Sequence, residues 1–238
     1  MLKRALLCLT LLSAGAHAEF IQLSTSIKAN NDCNAYFDDP AQKGRGFEQC
    51  NIFSYNDFGE YVKISPVIAK FGSKGSFQSS NLYGDDIDRL DWRFLNDEGE
   101  SRENVGQDST GTWRYDDGQG ALSYPGIRFW SAKAGRGFNL FWQVDSDNFG
   151  DGKACTSSSL MSLACLSAAE SVLEGTWSTP KNKKLSHMVF YNSKDPAIVI
   201  GPGNGGGLVV VSAYYSAVPL FALLLLGLSR RQKRSVLM

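Results

Sequence analysis

The stretch FIQLSTSIK, from Phe20 to Lys28, alternates between apolar and polar side chains. Alternation with a period of two is typical of a β-strand that buries one face and exposes the other. Further strand segments follow along the chain, separated by clusters of Gly, Asn, Asp and Ser, at 61–71, 127–133, 138–144, 185–191 and 197–200. Short strands with frequent turn signals predict an all-β fold, and we expect an antiparallel β-sandwich of jelly-roll or Ig-like type.

Three local features add detail to this prediction. Ala134 to Gly137 separates two predicted strands and indicates a hairpin turn. The segment Ser157 to Leu173 is the one plausible helix, although its periodicity is poor, and we interpret it as a surface excursion. Gly-Thr-Trp occurs at 111–113 and again at 175–177, but three residues are too few to indicate an internal repeat.

The chain has 238 residues, of which 43% are hydrophobic, with 24 basic and 24 acidic residues. This length suits one domain or two small ones, and the hydrophobic fraction is sufficient for a packed core. Six of the basic residues lie in the two termini, which leaves 18 basic against 24 acidic residues, a net charge of −6, for the rest. An acidic body argues against a nucleic-acid partner, because phosphate binding needs a basic surface.

The N-terminus has the three regions of a secretory signal peptide, and we assign it to residues 1–18. These regions are the basic pair Lys3 and Arg4, the apolar run Ala5 to Leu12, and the cleavage box Ala16-His17-Ala18. The alternative, a membrane anchor, is disfavoured because the apolar run is too short to span a bilayer. We therefore expect signal peptidase to release a mature chain whose β-sandwich ectodomain covers 19–200.

The C-terminus combines a Gly-rich spacer, within 201–216, with a hydrophobic segment at 217–238 that we predict to be a membrane helix. Basic residues after an apolar run keep that end in the cytoplasm, which places the ectodomain outside the inner membrane. They are Arg230, Arg231, Lys233 and Arg234. The apolar run is shorter than the roughly 20 residues of an ordinary span, which favours a transient sorting segment. A permanent anchor from Leu208 to Leu228 is the alternative.

The tail resembles the PEP-CTERM sorting signal of exported bacterial proteins. It has a Val-Pro element at Val218-Pro219, an apolar run ending in Gly-Leu, and a terminal Arg/Lys cluster. The element continues as Leu-Phe, whereas the family usually has Val-Pro-Glu-Pro or Val-Pro-Leu-Pro. The motifs at 129–135, 138–141, 175–178 and 185–191 also occur in this order in ectodomains of that family.

This resemblance implies a β-sandwich associated with the cell envelope or with exopolysaccharide, and it implies no catalytic residues. It also implies that exosortase, a membrane cysteine enzyme, processes the tail. The glycines at 205–207 leave a rhombosortase-type protease as an alternative.

Four cysteines remain after the signal peptide has been removed: Cys33, Cys50, Cys155 and Cys165. An even number in an exported chain favours two disulfides, among three possible connectivities. Loop-closure entropy favours the local pairs, 33 with 50 and 155 with 165. Four free buried thiols are the alternative. The spacings are too wide for a zinc site.

One loop has the composition of a metal site. Asp145, Asp147 and Asp151 lie in a segment with two glycines and resemble the opening of a calcium loop. Thr156 occupies the position where an EF-hand has its glutamate, so the alternative is an acidic turn after a strand. Calcium is the one cofactor that we consider.

His187 is the only histidine of the mature chain, so any Ser-His-Asp mechanism would need it. Its place in a predicted strand, and the lack of a G-x-S-x-G motif, favour a structural histidine. Carbohydrate binding would need exposed aromatic rings, whereas tryptophans at strand spacing more often form the core. The tryptophans are Trp92, Trp113, Trp130, Trp142 and Trp177.

We therefore predict a non-enzymatic protein of the cell surface or extracellular matrix, with a structural or interaction role. Exopolysaccharide is its expected partner, and signal peptidase and a sorting protease are expected to process it. A carbohydrate-binding module is the first alternative. A secreted hydrolase that uses a pair of carboxylates is the second.

Overall fold

The computed structural model describes residues 19–37, 46–81, 87–96, 99–115, 126–192 and 198–199. Within these ranges most of the regular structure is β, interrupted by short helical turns, which confirms the predicted all-β fold. The strands are β1 (Phe20–Ile27), β2 (Asn51–Tyr55), β3 (Tyr61–Gly72), β4 (Phe77–Ser79), β5 (Trp92–Leu95), β6 (Ser101–Arg102), β7 (Thr110–Tyr115), β8 (Phe129–Ala134), β9 (Gly137–Asp145), β10 (Glu174–Ser178), β11 (His187–Tyr191) and β12 (Ile198–Val199). One short α-helix, α1, covers Leu163–Ser167.

The larger sheet is antiparallel and has the strand order β1-β9-β8-β11-β3. Its longest strand, β3, changes partners along its length. The first half pairs with β2 and β12, and the second half pairs with β4 and β11. The register shifts between Ile52 and Phe53 and again between Phe190 and Tyr191, close to the point where the partners change. Such irregularities bend a strand and curl the sheet.

The smaller sheet has the order β10-β7-β5-β6 and packs against one face of the larger sheet. Tryptophans from both sheets meet between them, as in the contact of Trp113 on β7 with Trp130 on β8, whose ring centroids are 5.0 Å apart. Phe190 of β11 contacts Trp92 of β5 at 4.2 Å. The interior between the sheets is therefore rich in aromatic rings, and their burial stabilises the packing of the two sheets.

Irregular chain, not a sheet, covers the opposite face of the larger sheet. The segment that follows β1 contributes Cys33, Phe37 and Phe47 to this second core, and the segment after β9 contributes Cys155 and Leu166. Two disulfides, Cys33–Cys50 and Cys155–Cys165, fix these segments. They are the pairs that loop length favours.

The predicted hairpin turn at Ala134 to Gly137 is confirmed, since β8 and β9 pair as far as Ala134 and Gly137. The predicted helix at Ser157 to Leu173 is wrong except for the five residues of α1. Serine side chains explain its late start, because they bond nearby backbone groups instead of continuing a helix. The hydroxyl of Ser159 accepts from the Thr156 N–H, and the hydroxyl of Ser162 caps α1.

The two Gly-Thr-Trp motifs pair directly with each other, on β7 and β10. Thr112 lies opposite Thr176, so each glycine faces the tryptophan of the other motif. A Cβ atom at Gly175 would lie 2.5 Å from Trp130, and one at Gly111 would lie 2.8 Å from Trp177. Glycine at these positions makes room for the indole rings.

Strand β10 has no strand partner on its outer side among the described residues, yet its backbone groups there are bonded. Side chains of the larger sheet take the place of a strand. Gln22 donates to the Thr176 carbonyl and accepts from the Thr176 N–H, at 3.2 and 3.1 Å. Asn139, Gln143 and the Trp130 indole donate to the carbonyls of Ser178, Glu174 and Thr176. This pattern ties the two sheets together and protects an edge from pairing with other chains.

The predicted signal peptide at 1–18, the spacer and the hydrophobic tail lie outside the described residues. The same is true of the tail residues to which sorting was assigned: Val218, Pro219, Arg230, Arg231, Lys233 and Arg234. Among the helices that the structure describes, none is long and apolar enough to cross a membrane.

Candidate functional site: a buried aspartate–histidine pair

His187 and Asp32 form the one buried ion-pair geometry found in the described ranges. Nε2 of His187 lies 3.0 Å from Oδ1 and 3.2 Å from Oδ2 of Asp32. Asp32 is completely buried, and the histidine side chain is 12% exposed. Strand β11 positions His187, whereas a single π-helical turn over Asp32–Tyr36 positions the aspartate against the face of the larger sheet that irregular chain covers.

Every oxygen of the Asp32 carboxylate has a hydrogen-bond partner besides the histidine. The Cys33 N–H donates to Oδ1 at 2.9 Å, and the Ser131 hydroxyl donates to Oδ2 at 2.9 Å. Burial raises the pKa of Asp32, but the hydrogen bond and charge of His187, together with the bonds from Cys33 and Ser131, outweigh burial and hold that pKa below its usual value. The carboxylate is therefore ionised at neutral pH.

The Tyr191 hydroxyl lies beside this pair and against the first disulfide. It is 3.7 Å from Sγ of Cys33 and 3.6 Å from Sγ of Cys50. Burial and the nearby charge of Asp32 raise the pKa of Tyr191 well above its ordinary value, although a hydrogen bond with Ser131 opposes the shift. The phenol stays neutral, so it can donate a hydrogen bond but cannot act as a base.

Asp32, His187 and Ser186 form a series of carboxylate, imidazole and hydroxyl groups, since Oγ of Ser186 lies 3.5 Å from Nδ1 of His187. A carboxylate that orients an imidazole towards a hydroxyl is the plan of a nucleophilic triad. Here the histidine–serine contact is at the outer limit of a hydrogen bond. The short contacts all converge on Asp32, so the pair joins the segment after β1 to strands β8 and β11 and has a structural use.

The second disulfide belongs to a separate anchored segment. Cys155 and Cys165 are both fully buried, and Cys165 lies within α1. Arg128, just before β8, donates from Nε to the Ala169 carbonyl and from Nη2 to the Ser167 carbonyl, at 3.0 and 3.1 Å. These bonds satisfy carbonyl groups at the end of α1, as helix C-terminal capping requires.

The predicted calcium site stays a prediction. In the ranges that the structure describes, no three carboxylate, histidine or cysteine groups come together as metal ligands, and Asp145, Asp147 and Asp151 are all within those ranges. Asp145 accepts a hydrogen bond from the Asp147 N–H at 2.8 Å and caps a 3₁₀ turn over Ser146–Asn148. The alternative interpretation, an acidic turn after a strand, agrees with this geometry.

The hypothesis of a tryptophan platform for sugars is wrong, because all five tryptophans are at least 96% buried in the core. The exposed aromatic side chains are different residues, none of which sequence reasoning singled out. They are Phe20, Tyr36, Tyr55 and Phe58 in the part of the chain that the structure describes.

Asp32 and Ser131 were also missed by sequence reasoning. Asp32 is 155 residues from His187 and lies in an unremarkable Asn-Asp-Cys context, so the sequence around it carries no sign of the contact. The neighbouring cysteine was the available signal, since the disulfide Cys33–Cys50 holds this segment against the sheet.

Comparison with known proteins adds no assignment to these residues. Neither protein-family models, nor curated proteins, nor solved structures gave a match to the chain. A functional proposal for this protein therefore has to come from its own residues and their geometry.

Proposed function

We propose that this chain is an exported protein of the bacterial cell surface or extracellular matrix, with a structural or interaction role. The observation that carries the proposal is the pair of buried disulfides, which use all four cysteines of the expected mature chain. Disulfides persist in oxidising compartments outside the cytoplasm and are rare inside it. The proposal assigns no catalytic step to the protein, and the His187–Asp32 pair is a stabilising contact in it.

The two ends of the sequence support the same location. The signal-peptide pattern at 1–18 directs export, and the basic cluster at 230–234 keeps the end of the hydrophobic tail inside. The Gly-rich spacer gives a protease of the membrane access to the chain before the tail. In this proposal an exosortase-type enzyme removes the tail near Val218-Pro219, with a rhombosortase-type enzyme acting at 205–207 as the alternative.

Intact-mass measurement on the protein from its own host tests this proposal. We expect a chain that begins at Glu19, lacks the Arg230–Arg234 cluster and is 4 Da lighter than its reduced form, since each disulfide removes two hydrogens. We expect Pro219→Ala to block removal of the tail if exosortase acts, with replacement of the glycines at 205–207 by alanine as the matched variant for rhombosortase. A mass that includes Met238, in protein that stays in the inner membrane, would refute sorting and favour the permanent anchor.

A further inference from the structure

The hairpin of β2 and β3 presents aromatic rings on one face. Phe53 and Tyr55 alternate with buried residues on β2, and Tyr61 lies opposite Tyr55 on β3. The ring centroids of these three residues are 4.8 to 6.2 Å apart. The Tyr36 ring stacks on Phe53 at 6.5 Å with an interplanar angle of 28°. We call these four residues the hairpin aromatic cluster.

The cluster is open to solvent on one side and fixed on the other. Tyr55 is 53% exposed and Tyr36 is 38% exposed, while Phe53 and Tyr61 are half-buried. Behind them, Tyr36 contacts the buried rings of Phe37 and Phe138 at 4.9 and 5.8 Å. Rings that the core already holds lose little freedom on binding a ligand, so the surface is preorganised.

The turn of the hairpin is also ordered, and it extends the surface. The side-chain oxygen of Asn56 accepts from the N–H groups of Phe58 and Glu60, at 3.0 and 2.9 Å, and the Asn56 amide donates to the Glu60 carboxylate at 2.7 Å. Phe58, at the tip, is 88% exposed, which is the largest exposure of any large hydrophobic side chain in the described ranges. Phe58 therefore adds a further exposed aromatic side chain at the tip of the hairpin that carries the cluster.

The chemistry of this surface favours a neutral sugar polymer as its partner. Aromatic faces stack against the C–H faces of sugar rings, and the hydroxyls of the exposed Tyr36 and Tyr55, together with the Glu60 carboxylate, supply hydrogen-bonding groups around them. The exposed large side chains there are all aromatic; the exposed Leu90 comes just before β5 of the smaller sheet. Asp57 and Glu60 outweigh Lys63, which lies opposite Phe53 on the same hairpin, so this surface keeps a net negative charge, on a body of net charge −6, and disfavours anionic polymers and anionic membranes.

We infer that the hairpin aromatic cluster, together with Phe58, is a binding site for a neutral polysaccharide. The inference rests on the proposed interaction role and gives it a partner class and a surface. It places the sugar-binding surface on the β2–β3 hairpin instead of on the tryptophans, which are buried. Binding is non-covalent, and the polymer lies along the row of rings.

Affinity gel electrophoresis tests the site with the full-length chain, expressed with its signal peptide and purified after export. The probes are soluble dextran, β-1,3-glucan, hydroxyethylcellulose and galactomannan, with alginate as the anionic contrast. We expect at least one neutral polymer to retard the protein and alginate not to do so. Tyr55→Ala should weaken binding roughly fivefold to tenfold, as the loss of one aromatic stack predicts. Phe58→Ala is the second variant, and we expect it to weaken binding too.

Phe20→Ala is the matched control, because Phe20 is a half-exposed aromatic residue on β1, at the other end of the larger sheet. It should bind like the wild type. Sedimentation measurements test whether a second copy of the chain binds this surface instead. Binding to vesicles of phosphatidylglycerol and phosphatidylethanolamine tests whether a membrane does.

The inference is overturned if no neutral polymer retards the protein, or if both cluster variants bind like Phe20→Ala. It is equally overturned if Tyr55→Ala abolishes a dimer or vesicle binding instead. These experiments use purified protein, so their results do not depend on whether a protease removes the tail. A protein that retains its tail is still expected to bind the polysaccharide.

Discussion

Gly175→Ala should destabilise the protein, because the added methyl group has no room between the two sheets. The new Cβ would lie 2.5 Å from Cζ2 of Trp130, 2.8 Å from its Cη2 and 3.0 Å from Cζ2 of Trp113. Both rings are fully buried. The Trp130 ring cannot move freely, since its Nε1–H donates to the Thr176 carbonyl at 2.8 Å and its face stacks on Phe141. The backbone must move, or the hydrogen bond must break.

The magnitude follows from three contributions. Overpacking a buried site costs about 1–3 kcal/mol. Loss of the indole hydrogen bond would add about 1 kcal/mol. Replacement of glycine by alanine returns about 0.4–1 kcal/mol, because it reduces the freedom of the unfolded chain. We therefore expect a net loss of about 2 kcal/mol in the free energy of unfolding, which lowers the Tm by roughly 4–8 °C for a domain of this size.

Urea unfolding with the disulfides intact, followed by far-ultraviolet circular dichroism and tryptophan fluorescence, measures this loss. Gly137→Ala is the matched control, since Gly137 also lies in a strand without a positive φ, and its Cβ would come no closer than 3.1 Å to the Ile27 carbonyl oxygen. The control should lose less than half as much stability. The argument from the Trp contacts is wrong if Gly175→Ala is within about 0.5 kcal/mol of the wild type, which is the usual range for a surface change.

Other variants address the buried pair, a disulfide and the edge of β10. Asp32→Asn should cost about 3 kcal/mol at neutral pH, because it removes the charge from a buried pair. Folding lowers the pKa of Asp32, so the ionised carboxylate stabilises the protein fully above the unfolded pKa of 3.8. This stabilisation is lost as the pH falls through the lower pKa of the folded state. The urea midpoints of wild type and variant should therefore converge in acid. The double variant Cys155→Ala, Cys165→Ala should lose about 3 kcal/mol, the entropy of a loop closed by residues 10 apart, and stability unchanged by the loss of this bridge would contradict that account. Gln22→Ala should cost about 1 kcal/mol and speed hydrogen exchange at the Thr176 amide, and an unchanged exchange rate would show that the side chain does not protect the edge.

Local patterns in the sequence were sufficient for the parts of the fold that depend on neighbours along the chain. The alternation from Phe20 to Lys28 predicted β1, and Ala134 to Gly137 predicted the turn between β8 and β9. The smaller sheet was missed, apart from the coincidence of Gly-Thr-Trp motifs, because β5, β7 and β10 are short, and the glycines of β7 and β10 weaken the strand signal further. That sheet forms by pairing between strands that are far apart in the sequence.

Local sequence patterns could not predict the candidate site either, because it also depends on contacts between distant segments. His187 was recognisable as the single histidine of the expected mature chain, but its partner Asp32 comes from the other end of the domain. The five tryptophans are buried, whereas Tyr36, Tyr55 and Phe58, which the sequence does not distinguish from core aromatic residues, are exposed. Exposure is a property of the assembled sheets, and composition cannot assign it.

The order of the cysteines along the chain has a consequence for biogenesis. A chain that crosses a membrane from its N-terminus delivers Cys33 and then Cys50 to the oxidant on the far side, followed much later by Cys155 and Cys165. Consecutive cysteines are partners in both bridges, so oxidation in order of arrival on the proposed export route would produce the native pairs directly. If the chain is exported as proposed, β1 arrives first, and it stays unpaired until β9 and most of the domain have followed.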